Sequence, residues 1–163
     1  MAENVLVAVF SAGGVTRKVG EAIAGVCGGT FFEIEPKEAY TAEDLNWMNK
    51  NSRSSVEMND ISARPDIAAR VENMDSYDTV IIGFPIWWGV APRIIETFLE
   101  SYDFSGKTIL PFCTSGGSGV GRSDIALHKH VSGTVNWKKG VQINRPDDAQ
   151  IRQWLENSLL AIR

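Results

Sequence analysis

Three stretches of the chain are apolar at almost every position: Val5 to Phe10, Thr79 to Phe84 and Thr108 to Cys113. A strand with one wet face alternates apolar and polar residues. One covered on both faces needs apolar side chains pointing each way, so these runs predict interior strands of a parallel sheet. Thr30 to Ile34 carries a weaker form of the pattern. Between the runs the apolar period lengthens to three and four residues, at Val15, Val19, Ala22, Ile23 and Val26, at Ile94, Ile95, Phe98 and Leu99, and at Ile151, Trp154, Leu155, Leu159 and Ile162. Each set lines one face of a helix. Strand and helix in alternation predict right-handed crossovers and a three-layer α/β sandwich with about five strands.

Local chemistry marks several boundaries. Pro92 suits a first helical turn, Thr41 with Asp44 forms a capping-box pattern, and Asp147 and Asp148 suit a helix N-terminus. Pro111 sits inside an apparent interior strand, where its missing N–H costs a ladder bond, so a bulge or strand end is expected there. The stretch Lys37 to Arg64 is rich in Asn, Ser, Glu and Asp and interrupts the α/β alternation; cover for a ligand and a solvated excursion are both open readings of it.

Charge and length then exclude whole classes. The 163 residues suit one compact domain, and 16 Lys and Arg against 20 Asp and Glu give a net charge of −4, the wrong sign for a phosphate-backbone binder. Nucleic acid is therefore not an expected partner. The longest apolar run falls far short of the ~20 residues that cross a bilayer, and Glu3 stands where a signal peptide carries Lys or Arg. The expected location is the cytoplasm, away from membranes. Cys27 and Cys113 lie far apart with no CxxC spacing, so buried thiols are expected rather than a disulfide or zinc site.

In an open parallel sheet, ligands bind beyond the carboxyl ends of the strands. The first such loop reads Ser11, Ala12, Gly13, Gly14, Val15, Thr16 and runs straight into a helix. Glycines that free the backbone N–H groups, a helix N-terminus and two hydroxyls make an anion seat without a basic side chain. A plain serine-capped turn is the alternative. The loop after the third strand, Gly83 to Gly89, carries Pro85, Ile86, Trp87 and Trp88, an apolar segment suited to stacking on a planar ligand, to meeting a partner protein or to folding into the core. Adjacent residues point different ways, so at most one of the two tryptophans is expected over a ring. The loop after the fourth strand, Thr114, Ser115, Gly116, Gly117, Ser118, Gly119, Val120, Gly121, lets bare backbone approach a heterocycle, or makes a mobile linker. Together the loops suit a mononucleotide with a flat base.

These loops resemble those of the flavodoxin-like FMN-binding flavoproteins, and the resemblance extends over nearly the whole chain. Ser11, Gly14 and Thr16 match that family's phosphate loop (Ser, any residue, Thr, Gly, Asn, Thr), and Pro85 to Arg93 and Thr114 to Gly119 resemble its flavin-ring loops. Glu35, Pro36, Lys37, Glu38 and Trp47 resemble one sub-branch. The resemblance implies a single flavodoxin-like domain over residues 1–163, a five-stranded parallel sheet of order 2-1-3-4-5, and non-covalently bound FMN. It implies cofactor contacts from Ser11, Gly13, Gly14, Val15 and Thr16, from Pro85, Ile86, Trp87, Trp88 and Gly89, and from Thr114, Ser115, Gly116, Gly117 and Gly119. Two positions depart from the signature: Gly13 replaces Thr and Val15 replaces Asn, which removes a hydroxyl and an amide.

The implied role is electron carriage at low potential between a reductase and an acceptor enzyme, both redox partner proteins. An FMN-dependent NAD(P)H:quinone-type reductase is the alternative, and an interaction module with a vestigial flavin site is another. No catalytic residue is expected, since no Ser, His and Asp order suggests a triad. Gly106, Lys107 and Thr108 mimic the end of a P-loop but precede a strand, so Lys107 is expected in solvent. His128 and His130, at i and i+2, are expected on the surface, pointing apart, with no metal.

Overall fold

The computed structural model describes residues 4–87, 89–114 and 127–158. Strands β1 (Val5–Val9), β2 (Thr30–Glu33), β3 (Thr79–Pro85) and β4 (Thr108–Thr114) form the sheet with two short strands, β5 (Asn136–Trp137) and β6 (Val141–Gln142). The order is β2-β1-β3-β4-β5, every pairing is parallel, and β6 also pairs with β4. This is the expected flavodoxin-like order, with the fifth place shared by two segments.

Layering follows from the near-continuous apolar runs. Val5, Val7, Val9, Ile81, Leu110 and Phe112 face one side of the sheet, where they pack with Val19 and Ile23 of α1 (Val15–Cys27) and with Ile151, Trp154 and Leu155 of the C-terminal helix Asp148–Asn157. Leu6, Ala8, Val80, Ile82, Phe84 and Ile109 face the other side and pack with Ile94, Ile95, Phe98 and Leu99 of the helix Arg93–Glu100. Helices are numbered α1, α2 (Arg53–Asn59), α3 (Arg93–Glu100) and α4 (Asp148–Asn157). Asp147 caps α4, its carboxylate accepting from the amides of Ala149 and Gln150. Pro92 precedes α3 as its N-cap rather than entering its first turn.

Pro111 stays in register opposite Ile82, so β4 itself neither bulges nor ends there. The carbonyls of Lys107, Ile109 and Cys113 accept from Asn136, Lys138 and Ile143, which turns the odd residues of β4 toward the fifth strand. The donor that proline lacks would have pointed the same way. Opposite it, between the Ile109–Trp137 and Phe112–Val141 pairs, the neighbouring strand holds one extra residue. The disruption expected from Pro111 thus falls on its neighbour, where β5 breaks from β6.

Gly83 of β3 faces Phe112 of β4 in register, and a Cβ on Gly83 would lie 2.1 Å from the Phe112 ring. The glycine is required for space. Gly83→Ala is expected to lower unfolding free energy by about 1–3 kcal/mol, as overpacked cores do. Urea denaturation checks this, and an unchanged midpoint would refute it.

The polar stretch is a built element. Its ends are joined by the Pro36–Ile67 antiparallel bridge, with the Lys37 amide donating to the Asp66 carbonyl and the Ala68 amide to the Glu35 carbonyl. Within it Thr41 and Asp44 form the reciprocal capping box, at 3.0 and 3.1 Å, over one helical turn. Helix α2 then follows, capped by Ser52 and unanticipated from the sequence. The Arg93 guanidinium donates to the carbonyls of Glu57 and Met58 at the end of α2, the place where a cation best meets a helix terminus.

Candidate cofactor site

Three strand exits are pinned together at the carboxyl edge. The Phe10 amide donates to the Gly83 carbonyl at 3.0 Å, and the Ile86 amide to the Thr114 carbonyl at 3.1 Å. Across the gap the Thr16 and Thr114 hydroxyls meet at 2.7 Å, both residues buried, in a contact spanning 98 positions of sequence. One hydroxyl donates and the other keeps its hydrogen, so the pair still offers a donor. An open cavity of about 330 Å³ lies here, lined by Ala12, Gly13, Val15, Thr16, Pro85, Ile86, Trp87 and Thr114.

The first loop has the features of an anion seat. Gly14 takes φ +92°, which glycine adopts without strain, and its amide donates to the Ser11 hydroxyl at 2.9 Å. The amides of Gly13, Val15, Thr16 and Arg17 have no backbone partner among the described residues; those at the helix start are the donors every helix N-terminus leaves over. No acidic or basic side chain is among the described lining residues. Arg17 ion-pairs with Glu21 and Glu33. A phosphate here would therefore be held by backbone dipoles and hydroxyls.

The second loop closes with reciprocal backbone bonds between Trp87 and Val90, at 2.8 and 3.2 Å, and Gly89 at φ +81°. Trp87 meets Phe10 and Tyr40 edge to face, at centroid distances of 5.7 and 5.5 Å. Burial, then the facing Glu57 carboxylate that accepts its hydrogen bond, push the Tyr40 phenol far up, so it stays protonated as a donor. Arg53 covers the Tyr40 ring at 3.9 Å and pairs with Glu57. Trp87 is thus partly committed to an aromatic core cluster. Of the other expected contacts, Trp88, Ser115, Gly116, Gly117 and Gly119 lie outside the described residues.

Two expectations are corrected. Lys107 is buried rather than solvated, and its ammonium donates to the Tyr77 carbonyl at 2.5 Å, so its stem fills the lower edge of the sheet. His130 is partly buried rather than on the surface, with Nε2 3.3 Å from Glu96 and Nδ1 2.8 Å from Glu100, whereas His128 is exposed as expected and points away from it, stacked on Trp137. The sequence reading missed this charged cluster, which also holds Arg64 and Arg93. The i, i+3 pair of Arg93 and Glu96 was its one local signal. Among the described residues no cluster of His, Cys, Asp or Glu could hold a metal, and no helix is long and apolar enough to cross a membrane.

With this geometry in place, the comparison with known sequences is decisive: the profile of the flavodoxin family matches residues 4–158. The chain belongs to the flavodoxin family. A candidate flavoprotein from Bacteroides eggerthii is 48% identical over 98% of this chain and 99% of its own, with a TM-score of 0.93. One from Bacteroides uniformis is 45% identical over 96% of this chain and 99% of its own, with a TM-score of 0.90. A Lactobacillus acidophilus flavoprotein solved in complex with FMN shares the fold at a TM-score of 0.65 and 22% identity, covering 94% of this chain and 99% of that one. No functionally curated protein matches the sequence. In this flavodoxin-family chain the Ser11–Gly14 turn lies between β1 and α1.

Proposed function

We propose that this flavodoxin-family protein binds FMN non-covalently and carries low-potential electrons between a reductase and an acceptor enzyme. The observation that carries the reading is the Thr16–Thr114 hydroxyl contact, which ties the anion seat to the start of the last loop across one cavity. Family membership supports FMN as the cofactor, and so does the FMN complex of the Lactobacillus acidophilus fold neighbour. The residues present fit the group: unclaimed amides and small hydroxyls suit the phosphate, and Pro85, Ile86 and Trp87 supply an apolar wall. Ser11, Gly13, Gly14, Val15 and Thr16 would hold the phosphate end. Trp88, Gly89, Ser115, Gly116, Gly117 and Gly119 would border the ring. Bound flavin supplies one- or two-electron chemistry, while the chain's own residues bind it, orient it and limit its access to water. A carrier needs no proton-transfer residue of its own.

The test is anaerobic. FMN added to apoprotein should lose its fluorescence, NADPH alone should leave the yellow spectrum intact, and an added flavin-containing reductase should then bleach it. Prompt bleaching by NADPH alone would favour the reductase reading. Failure to bind FMN after refolding with excess cofactor would leave the interaction module.

The departures at positions 13 and 15 give a second measurement. A Cβ on Gly13 meets nothing within 4 Å, its φ is not positive, and Val15 is 54% exposed, so both positions accept the family's residues. Gly13→Thr with Val15→Asn is expected to tighten FMN binding about tenfold, from an added hydroxyl donor and a loop about 0.5–1 kcal/mol cheaper to order. Equal or weaker binding in a fluorescence titration would refute the assignment of this loop.

A further inference from the structure

We propose that Trp87, Tyr40 and Glu57 form an oxidation relay, which carries a one-electron hole from the cofactor cavity to the Tyr40 phenol and passes the phenolic proton to Glu57. This goes beyond electron carriage and rests on the FMN reading only for the identity of the oxidant in the cavity, a photoexcited flavin.

Each part of the relay is in place. Trp87 lines the cofactor cavity, and its indole meets the Tyr40 ring edge to face at a centroid distance of 5.5 Å. Orbital overlap falls steeply with distance, so rings in contact exchange an electron faster than rings held apart. The Tyr40 hydroxyl donates to Glu57 Oε1, which puts the acceptor of its proton within reach. Glu57 Oε2 accepts from Arg53 at 3.0 Å, and the same guanidinium lies 3.9 Å from the centre of the Tyr40 ring. A cation over the ring opposes a positive charge on it, so oxidation is favoured only when the proton leaves with the electron. The Tyr102 hydroxyl, by contrast, accepts from the Val71 amide, and no carboxylate is bonded to it among the described residues. Glu57 also lines an open polar cavity of about 300 Å³ with Lys37, Arg64 and Asp66, which gives the proton a route to water.

In the step, the oxidant takes one electron from the Trp87 indole and is itself reduced. Tyr40 refills the indole with one electron, and its O–H bond breaks as the proton joins Glu57 Oε1. A neutral Tyr40 phenoxyl and a protonated Glu57 remain. One electron from a thiolate, with the proton returned by Glu57, restores the phenol.

Pulse radiolysis tests the relay without flavin. Azide radicals oxidise indoles in preference to phenols, and Trp47, 69% exposed, is replaced by Phe throughout so that it does not take the oxidant first. The broad visible band of an indole radical is expected to convert into the sharp near-ultraviolet band of a tyrosyl radical, at a rate independent of protein concentration. Trp87→Phe and Tyr40→Phe each keep a ring in the cluster and should abolish that conversion. Glu57→Gln keeps a hydrogen-bond acceptor but not a base, and should slow the conversion about tenfold or more. With Glu57 present, heavy water should slow it about twofold, because the proton moves in the rate-setting step. A merely structural Glu57 would give no isotope effect. FMN-loaded protein under a blue flash should form the same Tyr40 radical. Absence of a tyrosyl radical in the azide experiment or in FMN-loaded protein, its survival in Tyr40→Phe or Trp87→Phe, or an unchanged rate in Glu57→Gln would overturn the proposal. Conversion through Tyr40 in a protein that never takes FMN would uphold the relay while sinking the cofactor reading.

Discussion

Trp87→Ala and Trp88→Ala are expected to fail in different ways. Trp87 packs edge to face against Phe10 and Tyr40, which also meet each other at 5.7 Å, so its removal breaks a three-ring cluster at the exit of β3. Truncation of a fully buried tryptophan costs roughly 3–5 kcal/mol, and partial burial places Trp87 near about 3 kcal/mol. Trp87→Phe keeps an aromatic edge in the cluster and should recover more than half of that loss. With the Trp87 indole engaged by two core rings, the stacking role proposed for this loop passes to Trp88. Trp88→Ala should leave the urea midpoint near wild type but weaken FMN binding by about tenfold or more, the scale of one aromatic stacking contact. Denaturation and FMN titration on both variants check the split. Matching losses of FMN affinity would contradict a single stacking wall.

The layer arrangement was legible because the sheet is parallel and covered twice. Val5 to Phe10 could be uniformly apolar only if both pleat faces were buried, and the structure divides those residues between two cores. The fifth place was not legible. Asn136–Trp137 and Val141–Gln142 are each too short to show a periodicity, and what separates them is a backbone effect originating in Pro111 on the neighbouring strand. The carboxyl-edge loops were found because glycines and adjacent tryptophans are local signals. The contacts that join them were not, since the Thr16–Thr114 bond spans most of the chain.

The 37–64 segment shows the limit more sharply. Polarity marked it as an insertion, but its order comes from groups outside it: Arg93 on the carbonyls of α2, and Glu96 and Glu100 on Arg64. Lys107 misled for a similar reason. Its sequence neighbours are polar, yet the fold carries its ammonium to the Tyr77 carbonyl, and no local pattern encodes a partner 30 positions away.

Glu96 is expected to be the most costly charged residue to remove. It is 4% exposed and its oxygens receive Arg93 at 2.8 Å, Arg64 at 3.2 Å and His130 at 3.3 Å, joining the insert, α3 and the segment after β4. Removing one partner of a buried ion pair costs about 3–5 kcal/mol because the other charge stays buried without compensation. Arg64 and His130 keep Glu100, and Arg93 keeps the carbonyls of α2, so Glu96→Ala should fall near about 3 kcal/mol. Arg93→Leu with Glu96→Leu removes charge from both sides and should recover a large part of the loss, which a double-mutant cycle in urea would measure. The same cluster sets an acid dependence. Hydrogen bonding from Arg64, then from His130, holds the Glu100 carboxyl below its ordinary 4.5. A group with a depressed folded pKa contributes stability that is complete above its unfolded value and is lost as pH falls through the folded one. Arg64→Ala should therefore flatten the rise of stability with pH below about 4.5, and an unchanged slope would show that Arg64 does not hold this carboxylate in the folded protein.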